Sequence, residues 1–171
     1  MRDQVIVITG ASSGIGAALA LRVAREGGLP VLAARREREL EDVRSRCGSG
    51  AMTVLADVTR RDDVQRILDR ALERHGHVDV WVNNAGRGIT RLVSQLADTE
   101  LDDMLRTNLT SALYGMQVAL SHFKPRRRGH IINISSVAGL APFPSLGYYC
   151  AAVRGRRPVR VPSHGGCSPR D

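Results

Sequence analysis

Apolar residues along the chain form either short continuous runs or stripes with helical spacing. The first run, Val5-Ile6-Val7-Ile8, is typical of a strand that is covered on both faces. Four later runs predict further strands, at 31–34, 52–56, 78–82 and 131–134. Helical spacing falls between the runs, at 15–25, 37–46 and 62–74. This alternation predicts βαβ units and a parallel sheet, and therefore an α/β fold.

A longer helix is predicted between the fourth and fifth strands, over residues 99–123, with Asp98 or Thr99 as its N-cap. Its apolar positions recur every three or four residues, so we expect them to face the core. They are Leu101, Met104, Leu105, Leu109, Ala112, Leu113, Met116, Leu120 and Phe123.

The character of the chain changes after Tyr149. Proline, glycine and arginine dominate the last residues, and no helical or strand period is visible among them. Proline inside a helix is unfavourable by about 3 kcal/mol. We therefore predict one folded domain over residues 1–152 and a disordered tail over residues 153–171.

Composition narrows the class of protein further. No segment reaches the ~18 unbroken apolar residues of a membrane span, and the chain begins directly before a strand, without room for a signal peptide. Cys47, Cys150 and Cys167 have no metal-ligand spacing, which favours reduced thiols and no metal site. We expect a cytoplasmic protein that does not bind membranes.

The net charge of +8 raises the possibility of nucleic-acid binding. Half of the excess lies after Tyr149, and Lys124 is the only lysine. The run Arg126-Arg127-Arg128 falls in a predicted turn, where a solvated loop is the simpler interpretation. No aromatic platform or recognised binding module accompanies the charge, so nucleic acid is not the expected partner.

The first strand ends in Thr9-Gly-Ala-Ser-Ser-Gly-Ile-Gly16, directly before a helix. Glycines allow a tight turn and close approach of a diphosphate, and a helix N-terminus offers amide hydrogens to it. The spacing G-x3-G-x-G differs from the more common G-x-G-x-x-G. A tight turn of small residues without a ligand is the alternative.

The end of the second strand bears on which dinucleotide binds. NAD-binding folds usually have an acidic residue here, whereas this chain has Arg35 and Arg36, which suit a 2′-phosphate. Glu37 follows and weakens the distinction. Asp57, after the third strand, is predicted either to accept from the adenine amino group or to cap the next helix. We predict NADP(H) in preference to NAD(H).

Further motifs occur in the same order along the chain: Asp57-Val58, Asn83-Asn84-Ala85-Gly86, Thr107-Asn108-Leu109 and Ile132-Asn-Ile-Ser-Ser-Val-Ala-Gly139. With the glycine turn, they resemble the short-chain dehydrogenase/reductase family over about residues 4–152. The resemblance implies a doubly wound parallel sheet of the Rossmann type in three αβα layers, with an NAD(P)-binding domain over residues 1–152. It also implies hydride transfer between NAD(P) and a small-molecule carbonyl or secondary alcohol. Family members are often dimers or tetramers, but the corresponding interface is incomplete here.

The resemblance also implies site residues. A tetrad of Asn, Ser, Tyr and Lys maps onto Asn108, Ser136 and Tyr149, with Tyr148 as an alternative that breaks the spacing. The segment Leu140-Ala-Pro-Phe-Pro144 is expected to contact substrate. The predicted cofactor-binding residues are Thr9, Gly10, Ser12, Ser13, Gly14, Ile15, Gly16, Arg35, Arg36, Asp57, Val58, Asn84, Ala85, Gly86 and Tyr149.

The lysine of the tetrad should be residue 153, where this chain has Val153. A phenol titrates near pH 10, and a neighbouring ammonium would favour its ionised form. Positioned proton transfer contributes roughly 10²–10⁴ in rate, so we expect impaired catalysis. Arg154 and Arg156 lie off the required position. The alternative function is a nucleotide-binding remnant without catalysis.

The resemblance ends at about residue 152, which leads to the hypothesis of a frameshift or a truncated reading frame. The fold would then be incomplete at its C-terminal edge, with the fifth strand as an exposed, aggregation-prone edge. Translating the other two frames of the coding DNA past codon 152 tests this, and we expect one of them to continue the family pattern. The absence of such a continuation in both frames would contradict the hypothesis.

Overall fold

The computed structural model describes residues 1–88, 92–141 and 146–155. Two segments discussed above lie partly or wholly outside this range, namely the expected substrate-contacting segment from residue 142 onward and the tail from residue 156, which contains Cys167. In the described part of the chain, no helix is both long and apolar enough to cross a bilayer.

Strands and helices alternate in the predicted order. The main elements are β1 (Val5–Thr9), α1 (Gly14–Arg25), β2 (Leu29–Ala34), α2 (Glu37–Cys47), β3 (Met52–Leu55), α3 (Arg61–His75), β4 (Val80–Asn83), α4 (Asp98–Leu105), α5 (Ser111–Arg126), β5 (His130–Asn133) and α6 (Gly147–Arg154). Short 3₁₀ turns occupy Val93–Gln95 and Val137–Gly139.

The five strands form one parallel sheet in the order β3-β2-β1-β4-β5. The chain winds from β1 outward to β3, then returns to the other side of β1 for β4. Neighbouring carboxyl ends of β1 and β4 therefore face a crevice, which is where open α/β sheets bind ligands. The predicted doubly wound Rossmann sheet is confirmed.

The core has two halves because successive strand residues point to opposite faces of the sheet. Val5 and Val7 face a cluster built with α3 and α5, which includes Ile67 and Trp81. Ile6 and Ile8 face a second cluster built with α1 and α2. Both faces of β1 are buried, which explains its continuous apolar run.

The predicted long helix exists but is not regular. A π-helical turn, Arg106–Thr110, lies between α4 and α5 and changes the angular phase of the stripe. Leu109 and Leu113, expected in the core, are consequently 38% and 46% exposed. The N-cap is Ala97 rather than Asp98 or Thr99, and its N–H donates to the Glu100 carboxylate at 3.2 Å.

β5 pairs with β4 and, within the described residues, forms the edge of the sheet. Ile132 on this strand is 46% exposed. The final helix, α6, continues through Arg154, so the predicted boundary at residue 152 falls inside a helix. The helix extends past residue 152 because the eight residues from Gly147 contain no proline to stop it.

Arg126 and Arg128 have structural contacts at the amino ends of the strands, far from the crevice. Arg126 belongs to α5 and donates to the Val78 carbonyl at 3.0 Å. Arg128 lies 3.4 Å from the buried carboxylate of Asp79, which also accepts from the Val5 N–H at 3.0 Å. These contacts revise the interpretation of the arginine run as a simple solvated loop.

His122 lies in the same region and contacts both Val78 and Arg126. Its Nε2 accepts from the Val78 N–H at 3.2 Å and lies 2.7 Å from Arg126 Nη1. Burial, together with the charges of Arg126 and His77, lowers the pKa of His122 below its ordinary value of 6.5. Protonation would place a hydrogen on the nitrogen that accepts from both donors.

The pH dependence of stability should therefore include a contribution from His122. The unfolded chain binds more protons than the folded chain between the lowered pKa and the ordinary one, so stability falls as pH drops through about 6.5. We expect His122→Gln, which keeps an acceptor for Val78 but does not titrate, to flatten the fall in unfolding midpoint between pH 7.5 and 5.5.

His130→Gln is the matched control, because His130 is exposed. This variant should keep the slope of the unmodified chain. His75, whose pKa burial also lowers, accounts for part of the slope that remains in His122→Gln. An unchanged slope in His122→Gln would contradict the assignment.

Candidate functional site

The glycine turn after β1 packs directly against the segment after β4. Gly10 has φ +67°, and a Cβ there would lie 2.7 Å from the Ala85 Cα. A Cβ on Gly16 would lie 2.5 Å from the Gly10 carbonyl oxygen and 2.6 Å from Asn84 Nδ2. Side chains are excluded at both positions, so glycine is required for this close approach.

Hydrogen bonds between Thr9 and Asn84-Ala85 lock the same junction. The Thr9 hydroxyl donates to the Val82 carbonyl at 3.2 Å and accepts from the N–H groups of Asn84 at 3.0 Å and Ala85 at 3.2 Å. Asn84 Nδ2 donates back to the carbonyls of Thr9 and Gly10, at 2.9 and 3.3 Å. Thr9 is 3% exposed, so it supports the site through these hydrogen bonds and not through an accessible surface.

A cavity of about 380 Å³ opens over this junction, across the carboxyl ends of β1 to β4. It contains most of the predicted cofactor-binding residues: Gly10, Ser12, Ser13, Ile15, Arg35, Arg36, Asp57, Val58, Asn84, Ala85 and Gly86. Thr9, Gly14, Gly16 and Tyr149 do not line it. Four lining residues were not predicted as cofactor-binding: Ala34, Ala56, Thr59 and Thr107.

Two of these missed residues had a signal in the sequence. Ala34 ends β2 and Ala56 directly follows β3, so both lie at the carboxyl edge of the sheet. Small residues at that edge leave room for a ligand. Thr107 was part of the Thr-Asn-Leu motif, but its place in a π-helical turn could not be anticipated.

Arg36 is fixed at the rim of the glycine turn. Its Nη2 donates to the hydroxyls of Ser12 at 3.0 Å and Ser13 at 2.7 Å, and its Nη1 lies 3.7 Å from Glu39. The guanidinium stays about half exposed, with 54% of the side chain accessible. A positive charge and two hydroxyls thus converge where α1 begins. The glycine cradle fits the diphosphate of a dinucleotide, and the guanidinium adds a positive charge at its rim.

Asp57 closes the opposite wall of the cavity. Its Oδ1 accepts from the N–H and hydroxyl of Thr59, at 2.9 and 2.8 Å, and its Oδ2 lies 3.7 Å from Arg35. Arg60 is the N-cap of α3, so the alternative of Asp57 as that cap is wrong. Asp63 accepts from the Asp57 N–H at 2.8 Å. Burial alone would raise the pKa of Asp63, but its hydrogen bonds, together with the charges of Arg66 and Arg60, lower it.

A second cavity of about 180 Å³ adjoins the first and shares Ile15, Asn84 and Gly86 with it. Tyr149 and Asn108, two of the predicted catalytic residues, both line it. The remaining described lining residues are Arg87, Gly88, Ile134, Ser135 and Val153.

Ser136, the third predicted catalytic residue, does not line this cavity. Its hydroxyl accepts from the Ala138 N–H at 3.2 Å and caps the 3₁₀ turn. Its neighbour Ser135 lines the cavity and donates to the Val153 carbonyl at 3.0 Å. The spacing of the motif alone could not show which of the two hydroxyls faces the cavity.

Asn108 occupies the π-helical turn and is 1% exposed. Its Oδ1 accepts from the Arg87 N–H at 3.0 Å and its Nδ2 donates to the Arg87 carbonyl at 2.8 Å. Both ends of the amide thus hold the backbone that follows Gly86. The structural bond to backbone that the sequence left as an alternative is present.

Val153 lies one helical turn after Tyr149 on α6 and is 3% exposed. The apolar side chain of Val153 therefore lines the smaller cavity together with Tyr149. Lys124 lies near the end of α5, which leads into the amino end of β5, and therefore belongs to the opposite edge of the sheet.

Comparison with known proteins agrees with this geometry. The profile of the family described as short chain dehydrogenase matches residues 4–155. An uncharacterized oxidoreductase of Listeria monocytogenes is 41% identical over 154 residues, covering 88% of this chain and 62% of that protein. One of Staphylococcus saprophyticus is 36% identical, covering 88% and 61%. An 11-beta-hydroxysteroid dehydrogenase of Pinus massoniana is 40% identical, covering 89% and 44%.

Among solved structures, a short chain dehydrogenase from Mycobacterium smegmatis superposes with a TM-score of 0.86 at 32% identity. The superposition covers 90% of this chain and 67% of that one. The chain spans about three fifths of the length of the first relatives it matches.

Proposed function

The chain belongs to the short-chain dehydrogenase family, and on this premise we propose that it binds NADP(H) and transfers hydride between the nicotinamide and a small-molecule carbonyl or secondary alcohol. The observation that carries the proposal is the contact of Arg36 with Ser12 and Ser13 above the glycine turn. The nicotinamide supplies or accepts the hydride when the cofactor is bound. The residues of the chain orient it and move the proton.

The preference for NADP(H) rests on charge at the end of β2. An acidic residue there would accept from the ribose hydroxyls of NAD, whereas a guanidinium suits a 2′-phosphate. Arg36 has a fixed position through its two serine contacts, and Arg35 adds a second positive charge 3.7 Å from Asp57. Asp57 and Val58 line the wall that would hold the adenine.

Tyr149 is proposed to exchange a proton with the substrate oxygen in the smaller cavity. Asn108 keeps the backbone beside it in place through its two bonds to Arg87. Ser136 remains the predicted partner of the substrate oxygen, and Ser135 is a second candidate because it lines the cavity. The valine beside Tyr149 cannot stabilise a phenolate, so we propose slow catalysis.

A second function, nucleotide binding without catalysis, is favoured by one observation. Val153 is buried beside Tyr149, where a general acid–base needs a neighbouring charge to bring its pKa toward the working pH. The cofactor cavity contains no residue from α6. Binding could therefore persist where proton transfer is lost.

Replacing Arg36 tests the preference for NADP(H). We expect Arg36→Gln to raise the Kd for NADPH about tenfold or more, since a charge-assisted bond to phosphate is lost, and to leave the Kd for NADH nearly unchanged. Fluorescence titration of each reduced cofactor measures both constants.

Arg38→Gln serves as the control because Arg38 is exposed on α2 and does not line the cavity. It should bind both cofactors like the unmodified chain. Equal weakening of NADPH and NADH in Arg36→Gln would refute the role of Arg36. Failure of the unmodified chain to bind either cofactor at millimolar concentration would refute the proposed function itself.

Restoring the missing charge tests the catalytic part. We expect Val153→Lys to raise the rate of NADPH oxidation with a panel of ketones by about 10²–10⁴, because an ammonium beside Tyr149 favours its ionised form. Absorbance of the reduced cofactor follows the reaction.

Val153→Met is the matched control, since methionine fills similar space without charge. It should remain as slow as the unmodified chain. An unmodified chain that already turns over as fast as Val153→Lys would show that the lysine is dispensable here.

A further inference from the structure

Arg87 lines the smaller cavity and has no role in the proposed cofactor binding or proton transfer. Arg87 is the only residue with a formal charge among the cavity's described lining residues. The others are apolar or neutral, with Tyr149 as the reacting group. The charge of Arg87 is therefore the main electrostatic feature among the described residues that line this cavity.

The backbone of Arg87 is held in one place. Both its N–H and its carbonyl are bound by the Asn108 amide, at 3.0 and 2.8 Å, and Asn108 is 1% exposed. The Arg87 side chain therefore leaves from a fixed point on the cavity wall. A fixed origin reduces the entropy lost when the side chain binds a ligand.

The guanidinium remains available to a ligand. Arg87 Nη1 lies 3.7 Å from Asp103, and the two side chains are 49% and 68% exposed. An ion pair this exposed and this long adds little stability, because water screens it. A ligand carboxylate could replace Asp103 with better geometry, since a guanidinium binds a carboxylate through two parallel hydrogen bonds.

We propose that Arg87 selects substrates that carry a carboxylate near the reacting carbonyl, so that the substrate class is a small oxo acid or the corresponding hydroxy acid. This inference rests on the proposed function for the reaction. In the complex, Arg87 holds the carboxylate while Tyr149 faces the carbonyl oxygen. The recognition step involves no bond change in the substrate.

Paired probes test the inference through binding, independently of turnover. Pyruvate and pyruvamide have nearly the same shape, but only pyruvate is charged. With the chain saturated with NADP⁺, which has no hydride to transfer, calorimetric titration should show pyruvate binding about tenfold more tightly than pyruvamide. Arg87→Gln should abolish this ratio, and Arg87→Lys should retain part of it.

Two controls separate Arg87 from general electrostatics. Arg154 is exposed, directly follows Val153 and does not line the cavity. Arg154→Gln should leave the ratio unchanged, whereas Asp103→Asn should increase it by releasing Arg87. A ratio of one in the unmodified chain, or an equal loss in Arg154→Gln, would overturn the proposal.

A cofactor titration distinguishes this inference from the proposed function. Arg87→Gln should bind NADPH as the unmodified chain does, and a comparable loss of NADPH affinity would make Arg87 a cofactor ligand and overturn the proposal. If the unmodified chain binds no NADPH, the proposed function fails. The pyruvate-to-pyruvamide ratio of the cofactor-free protein, measured by ligand-observed NMR, then decides the role of Arg87 alone.

Discussion

The structure depends most on the junction between the carboxyl ends of β1 and β4. There the buried Thr9 hydroxyl joins both strands, and Asn84 returns two hydrogen bonds to the turn that follows β1. Gly10 and Gly16 keep this contact free of side chains, because a Cβ on either would overlap the opposing chain. These contacts hold the turn after β1 and the segment after β4 at a fixed distance, which sets the width of the crevice for a ligand.

The same junction connects the two cavities. Asn84, Gly86 and Ile15 line both of them, so a molecule lying along the crevice passes from Arg36 at one end to Tyr149 at the other. The larger cavity is built mainly from loops that directly follow β1, β2, β3 and β4. The smaller one needs side chains from the π-helical turn, the segment after β5 and α6. Loops that follow adjacent strands of the sheet thus form most of the larger cavity. The smaller cavity also depends on helical segments that lie far from β1 in the sequence.

This difference explains what the sequence could predict. Continuous apolar runs and helical stripes depend on local periodicity, so the alternation of strands and helices followed from them. The residues of the glycine turn followed from their motif. The exposure of Leu109 and Leu113 could not be predicted in this way, because a π-helical turn leaves no mark in an apolar pattern. The direction of the Ser136 hydroxyl and the contact of Arg128 with Asp79 depend on the folded geometry of separate segments.

The separation of the two cavities also bears on how a change at residue 153 acts. Val153 packs beside Tyr149, and its carbonyl accepts from Ser135, so the backbone of α6 is anchored whichever side chain it bears. The helix can therefore keep Tyr149 in the smaller cavity without a lysine. Loss of the lysine removes a charge from the cavity while leaving the cradle for the diphosphate unaltered. Under the proposed function, cofactor binding in the larger cavity and proton transfer at Tyr149 would therefore depend on different elements of the fold.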